Sequence, residues 1–570
     1  MATIVHRAGE GGPGAPGRDT PDGRASAPAA PATDAAVPMP AGCTIPDLLA
    51  EMAARHPGRE FLVDGGRRWS WDGVLAETRR VARGLLALGL GCGDRVAILM
   101  GNQAEWVVTQ FAAAAIGATA VAVNTWWRAR ELEHALALSR ASALVMAGRY
   151  LRHDYAAELA SLGDLRRTLP ALRHVVAVDE AGPPGAIPFA RLAEMGGAVP
   201  EAALEAARAA VRPDDPAIVC FTSGSTARAK AVPLLHEGLI RNMHGIGGRM
   251  RLGPDDRLLL SVSLFWAFAC INAVFAVATH GGAIVLQRHF DAGEALALIE
   301  RERCTLVYAM ANMAMSLRAH PDRPRRDLSS LRTGLTMPQA IPAMVELGAR
   351  EATTCYGLTE CYGNSTVADC RSPLELRLRS AGPALPGTEV EIVDPETRRP
   401  LPPGEVGEVR LRGFVTPGYL DDPARTAEAI DAEGWFHTGD LALLDEGGNL
   451  HFRGRAKEII KTGGINVSPV EVEELLLSHP GVRQAVVVGV PDPEREEVVA
   501  ALVVAEPGAA VTAEELVRFC REGAAAYKVP RIVELVGAEQ VPLTDTGKVS
   551  RRMVQERFAA RAAASRVAAA

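Results

Sequence analysis

Apolar and polar positions alternate along most of this chain in a way that divides it into helices and strands taking turns. Ile45 to His56 carries apolar residues at helical spacing. Trp69 to Leu88 repeats the pattern, with Leu75, Val81, Leu85 and Leu88 on one side. Val96 to Met100 reads as a strand, Glu105 to Ile116 as a helix and Thr119 to Val123 as another strand. The alternation runs on through Ala217 to Leu306 and predicts an α/β fold with largely parallel sheets. From about residue 380 the texture changes. Gly and Pro become dense, and short strands such as Glu389 to Val393 and Glu408 to Arg412 predict a smaller β-rich part. A last unit has its own helices (Val470 to Ser478, Ala513 to Gly523) and strands (Ala485 to Val490, Val498 to Val504), enough for a core of its own.

Two stretches break the pattern. Residues 1–42 are rich in Ala, Pro and Gly with almost no large apolar side chains, so they are expected to be disordered. They lack the basic start and apolar core of a signal peptide. Leu258 to Thr279 is uncharged and long enough to cross a bilayer, but Ser261, Ser263 and Asn272 interrupt it. A buried strand, turn and helix explains it better.

Composition narrows the class. With 570 residues the chain has room for more than one domain, and 48% apolar with 23% charged residues is ordinary for a globular protein. A net charge of −7 without a long basic block argues against nucleic acid as a partner. Nine scattered cysteines form no CxxC and no zinc-ligand spacing with His, which suits a reducing cytoplasm.

Chemistry gathers in separated motifs. The apolar run Ala217 to Phe221 stops at Thr222-Ser223-Gly224-Ser225-Thr226-Ala227-Arg228-Ala229-Lys230, a loop of hydroxyls with cations. Hydroxyls and backbone N–H groups on a tight loop suit phosphate oxygens, and a terminal Lys adds a mobile charge. Ala229, where the common P-loop needs Gly before Lys, excludes that motif. Tyr356-Gly357-Leu358-Thr359-Glu360 sets a carboxylate beside a hydroxyl, after a Gly that allows close backbone approach. Such a corner suits Mg²⁺ and phosphate. Trp435 to Asp440 puts an acid after a tight turn, where a carboxylate can meet a ribose. Arg455, Lys457 and Lys461 follow, and Pro542 to Lys548 ends in Gly-Lys.

In this order the motifs resemble the adenylate-forming superfamily, which contains acyl-CoA synthetases, adenylation domains of peptide synthetases and luciferases. The resemblance runs from about residue 45 to 557. It implies an N-terminal domain of stacked α/β sheets plus a β-rich part (43–453), a hinge (454–458) and a small mobile α+β C-terminal domain (459–557), then an Ala-rich tail (558–570). It also implies roles. Thr222 to Lys230 covers the β- and γ-phosphates. Gly334, Leu335 and Thr336 line the adenine, and Tyr356 stacks on it. Thr359 and Glu360 meet phosphate and Mg²⁺, while Asp440 and Arg455 hold the ribose. Lys457 is the hinge residue. Lys548 bridges the carboxylate substrate and the α-phosphate, and Lys461 serves the other half-reaction of some members. Lys548, Lys461, Glu360 and Lys230 are thus the catalytic candidates.

The implied reaction uses ATP and Mg²⁺ to turn a small carboxylic acid into an acyl-adenylate, then transfers the acyl group to CoA. Alternatives that stay open are transfer to the phosphopantetheine of an acyl carrier protein, and a nucleotide-binding protein with impaired turnover. The last is motivated by Ala227, Ala229 and Ala231, where the family has Gly or Pro. The expected acyl pocket is Phe265, Trp266, Phe268 and Asn272, with Trp266 where a His is usual. It contains no charge and no Asp to meet an amino group, which favours a fatty or other apolar acid. Asn124 to Trp127 and Arg412 to Gly418 look most like acyl-CoA synthetases of the fatty-acid type.

Overall fold

The computed structural model describes residues 37–222, 229–455, 458–462, 465–492, 495–524, 526–544 and 548–569. Two seven-stranded sheets dominate the first part. One runs in the order Lys230–Leu235, Pro216–Thr222, Thr119–Ala122, Arg95–Leu99, Ala143–Met146, His174–Ala177, Ile187–Pro188. The other runs Glu351–Thr353, Thr333–Leu335, Leu306–Tyr308, Arg257–Leu260, Ala283–Leu286, Glu60–Asp64, Arg67–Ser70. Each is parallel except for one antiparallel edge strand. The helix Ala104–Ala115 is buried almost all round and touches strands of both sheets, as an apolar-faced helix between two layers must. Its Phe111 packs between Phe61 and Phe275.

Local signals start the helices where they begin. The Thr44 side chain accepts from the Asp47 N–H, and Pro46 occupies the first turn of Ile45–Arg55. Trp69 and Ser70 lie on a strand rather than in the predicted helix. The Ser70 hydroxyl accepts from the Gly73 N–H and starts the helix at Trp71. The buried face of that helix is Val74, Thr78, Val81 and Leu85; Leu75 and Leu88 are half-buried at its margin.

The uncharged stretch from Leu258 resolves into the strand Arg257–Leu260, a π-turn over Phe268–Ala273 and the helix Val274–Ala278, all within the core. Among the described residues no helix is long and apolar enough to cross a membrane.

An antiparallel sheet follows: Thr388–Val393, Gly407–Gly413, Phe436–Leu444 and Leu450–Arg455. The last part is built on Val482–Asp492 paired with Glu496–Ala505, extended by Ile460–Thr462, Ile465–Val467 and a parallel Ile532–Leu535. Helices Pro469–Leu477 and Ala513–Gly523 bury Val472, Leu476, Leu516 and Cys520 on one face. Helix Arg551–Ala569 buries Val554 and Phe558 on the other.

Residues 37–42 and 558–569 carry more structure than their composition predicts. The helix continues beyond residue 557 to Ala569, since Ala and Arg are strong helix formers and Phe558 anchors it. At the other end residues 1–36 lie outside the described residues, but Val37 is seated on helix His236–Arg249. Its carbonyl is 3.0 Å from His244 Nε2. All nine cysteines are free. Cys361 is buried and its thiol is pushed up to about 12 by desolvation, as is that of Cys355, so both fit packing rather than ligation.

Candidate active site

The site lies where parallel strands end, the usual place for ligands in such sheets. Pro216–Thr222 runs out at Thr222, which pairs with Lys230 across the hairpin. Ser223, Gly224, Ser225 and Thr226 lie outside the described residues. Lys230 is held by Tyr419. Its ammonium is 4.6 Å from the ring centroid and 3.4 Å from the hydroxyl. The same hydroxyl donates to Glu360 Oε1 at 2.9 Å. Glu360 is buried in the turn Thr359–Cys361, and its carbonyl accepts from the Thr416 N–H at 2.6 Å. One tyrosine therefore joins the loop-end cation to the buried carboxylate. Thr359 is half-buried at the start of that turn.

Nearby, Tyr356 and Asp440 form a second buried pair. The Tyr356 hydroxyl donates to Asp440 Oδ2 at 2.9 Å. Desolvation, and then the charge of Asp440, hold Tyr356 well above the ordinary phenol range, so it stays a donor. Burial likewise raises the pKa of Asp440 against the opposing pull of Arg455. Asp440 and Arg455 are cross-strand partners, with Arg455 Nε 3.0 Å from Asp440 Oδ1. This is an ion pair without hydrogen-bond alignment, since Oδ1 has no hydrogen-bond partner among the described residues. Gly357 must be Gly: a Cβ there would stand 2.4 Å from Asn364 Cα and from the Gly363 carbonyl. Gly334 and Leu335 end a central strand, and Thr336 follows with its hydroxyl on the Ala309 carbonyl at 2.8 Å.

The third group is aromatic. Trp126, Phe265 and Trp266 meet edge to face, with centroids 5.3, 5.5 and 5.7 Å apart. Asn124 Oδ1 accepts from the Trp126 N–H at 2.8 Å and holds Trp126 in place. Deeper, Phe268 tilts against Tyr308 at 5.0 Å, and the Tyr308 hydroxyl donates to Asn272 Oδ1 at 2.8 Å. Lys548, from the C-terminal unit, sets its ammonium 5.7 Å from the Trp266 ring centroid. The residue is exposed to solvent, with its tip turned to that ring. Desolvation, then the charge of Arg455, lowers its pKa below the lysine value of 10.5.

The structure thus gathers Lys230 with Glu360, Tyr356 with Asp440 and Arg455, and Trp266 with Lys548. Lys461 stays apart. It is exposed on Ile460–Thr462, its backbone N–H donating to Glu497 at 2.8 Å. Lys457 lies outside the described residues. Sequence reasoning missed Tyr419, Tyr308 and the pocket role of Trp126. The first stands directly after Gly418, at the end of a segment that was recognised; the third lies inside another.

Comparison with known proteins decides the family. The profile of AMP-binding enzymes matches residues 49–420, more than half of the chain, and that of the AMP-binding enzyme C-terminal domain matches residues 471–548. The chain belongs to the AMP-binding enzyme family. The enzyme is 34% identical over 526 residues to the 3-[(3aS,4S,7aS)-7a-methyl-1,5-dioxo-octahydro-1H-inden-4-yl]propanoyl:CoA ligase of Rhodococcus jostii, covering 90% of this chain and 98% of the relative. It is 33% identical over 541 residues to the mitochondrial medium-chain acyl-CoA ligase ACSF2 of Danio rerio, covering 90% and 88%. Among solved structures it resembles the anthranilate CoA ligase AuaEII in complex with anthranoyl-AMP. There the TM-score is 0.78 and the identity 27%, over 94% of this chain and 100% of that one. The enzyme is an acid–thiol ligase of the AMP-forming, acyl-CoA synthetase kind.

Proposed function

We propose that this enzyme activates an apolar carboxylic acid as its acyl-adenylate and then transfers the acyl group to CoA, in the cytoplasm. The observation that carries the reading is Lys548. A cation from the C-terminal unit comes up to Trp266 of the N-terminal unit, close enough for the charge of Arg455 to act on it.

A carboxylate is a poor electrophile, and its attack on the α-phosphate of ATP brings two anions together. Lys548 would hold both anions, and Lys230, at the end of the 222–230 loop, would meet the β- and γ-phosphates. Asp440 would accept from the ribose hydroxyls while Tyr356 keeps its carboxylate oriented and stacks on the adenine beside Thr336. Glu360 would hold Mg²⁺. It offers one buried carboxylate braced by Tyr419, which suits a cation that keeps water and phosphate oxygens as its other ligands. When bound, Mg²⁺ neutralises charge developing on the phosphates.

The thiol must then reach the carbonyl where Lys548 stood. Rotation about a hinge at 454–458, with Lys457 at its centre, would withdraw Lys548 and bring Lys461 forward. The aromatic corner of Trp126, Phe265 and Trp266 supplies an uncharged entrance for the acid. Relatives named for a medium-chain acyl group and for an oxygenated bicyclic propanoate are consistent with an apolar skeleton.

The test is a pyrophosphate-release screen over a panel of carboxylic acids, with and without CoA and with a phosphopantetheinylated carrier protein. Release supported by an acid, with CoA consumed to thioester, is expected. An adenylate that accumulates in the presence of CoA and is discharged only by the carrier would sink the CoA assignment.

A further inference from the structure

The acyl pocket carries one buried polar group that an apolar acid leaves unused. Asn272 is fully buried, one helical turn beyond Phe268, within the π-turn Phe268–Ala273. Turns of this kind recur at functional sites because the extra residue re-aims a side chain. Gln110 caps the irregularity, its Nε2 donating to the Cys270 carbonyl at 3.2 Å.

The amide is fixed from one side. Tyr308 is itself fully buried and donates to Asn272 Oδ1 at 2.8 Å. That leaves Nδ2 as the free end, and it has no hydrogen-bond partner among the described residues. A buried donor without a partner costs about 1–3 kcal/mol, and a leucine of similar volume would avoid that cost.

Nδ2 lies beside Gly363, which has φ of +90° and presents no side chain. A Cβ built on Gly363 would meet Asn272 Nδ2 at 3.7 Å and Asn272 Cβ at 3.8 Å, and no other described atom within 4 Å. Gly363 comes three residues after Glu360, and the helix bearing Asn272 starts beside Trp266, under Lys548. Asn272 and Gly363 therefore both lie on segments that run directly from the groups of the candidate site.

We infer that the acyl pocket is built for an acid whose otherwise apolar skeleton carries a neutral hydrogen-bond-accepting oxygen, received by the unpartnered Asn272 Nδ2 beside the side-chain-free Gly363. The inference rests on the acid-activating reading above. A carbonyl oxygen fits best, because it accepts without bringing a second donor to Tyr308 or Asn272. A second carboxylate does not fit, since the aromatic rings and one neutral amide here would leave a buried charge uncompensated. Sites that hydrogen-bond a substrate atom discriminate strongly against analogues lacking it.

The experiment compares matched acids by kcat/KM for pyrophosphate release at saturating ATP. Straight-chain and cyclohexylpropanoic acids are paired with their oxo derivatives, the oxo group being moved along the skeleton. At one position the wild-type enzyme should favour the oxo acid by about ten-fold or more. Asn272→Leu should bring that ratio to within about two-fold, by lowering kcat/KM for the oxo acid far more than for the unsubstituted one. Tyr308→Phe, which removes the brace but keeps the ring, should lower the ratio part-way and covers the case in which Asn272→Leu fails to fold. A wild-type enzyme that uses the acids but favours no oxo position overturns this inference alone, as does an Asn272→Leu enzyme that keeps the preference. If no acid supports pyrophosphate release, the proposed reaction itself falls, and the inference with it.

Discussion

The two halves of the cleft are held in different ways. On the N-terminal side the groups are fixed by buried contacts. Tyr419 donates to Glu360, Tyr356 donates to Asp440, and all four residues are less than a tenth exposed. On the C-terminal side Lys548 is itself exposed to solvent, next to Val549, which is bridge-paired with Leu543, and its side-chain tip comes up to the Trp266 ring. A buried network keeps its geometry whether or not substrate is present. A solvent-exposed lysine can be withdrawn at little cost. One side is preorganised, and the other is an exposed residue reaching in.

The sharpest way to break that comparison is Lys548→Ala. We expect adenylate formation from acid and ATP to fall about a thousand-fold, because a cation placed against transition-state charge is lost. Thioester formation from a supplied acyl-adenylate should change by no more than a few-fold. Equal losses in both half-reactions would mean that Lys548 serves folding rather than one chemical step. The same residue sets a pH limb. Burial and Arg455 lower its pKa from 10.5, so in the free enzyme its charge is lost earlier than in an ordinary lysine as pH rises. kcat/KM for adenylation should therefore decline on an alkaline limb below the lysine range. In kcat the limb should move up, because bound phosphates favour the charged form. Lys548→Arg should remove the limb; a profile unchanged by that substitution would assign it to another group.

Next in size is Lys457→Pro. Proline fixes φ and removes a donor, so it should trap one arrangement of the two units. Adenylation should survive and thioester formation should fall about a hundred-fold. Measuring both half-reactions separately decides the matter, and normal thioester formation would move the hinge elsewhere.

Tyr419→Phe probes the preorganised side. The ring that faces Lys230 remains, while the hydroxyl on Glu360 is lost. A charge-assisted hydrogen bond of this sort contributes about 1.5–3 kcal/mol, so a loss of roughly ten-fold or somewhat more in kcat/KM for ATP is expected. It should be partly recovered at high Mg²⁺ if the tyrosine acts by orienting the carboxylate. A loss that is indifferent to Mg²⁺ would instead assign the effect to Lys230.

These contrasts also explain what could be seen in the sequence. Glu360, Asp440, Arg455 and Lys548 each sit in a short run whose neighbours mark it. The alternation of apolar runs was enough for two mostly parallel sheets, because those strands are buried on both faces. Tyr419 was not legible, since its meaning comes from Glu360, 59 residues away, and Lys230, 189 away. Asn272 read as one polar position in an apolar pocket. Only its distance from Gly363, and the way Tyr308 turns its amide, give it a task. The order of residues 37–42 was likewise hidden, because it depends on His244, some 200 positions on.

The smallest effect is expected at Ala227. Ala227 lies outside the described residues, between Thr222 and Lys230, which pair across strands. The family resemblance leads one to expect Gly at this position, whereas this chain has Ala. If the loop needs a positive φ there, Ala costs roughly 1 kcal/mol of strain, and Ala227→Gly relieves it. If the loop has adapted to Ala, Gly only adds freedom to the unfolded chain, costing up to about 1 kcal/mol of stability. We expect the KM for ATP in the adenylation half-reaction to stay the same or to fall by no more than about five-fold, the equivalent of that strain. The melting temperature serves as the control for the second case. A several-fold rise in KM with stability unchanged would show that the Ala227 methyl makes a contact of its own. The phosphate loop would then belong with the preorganised side of the cleft, and its alanines would be part of how this enzyme grips ATP.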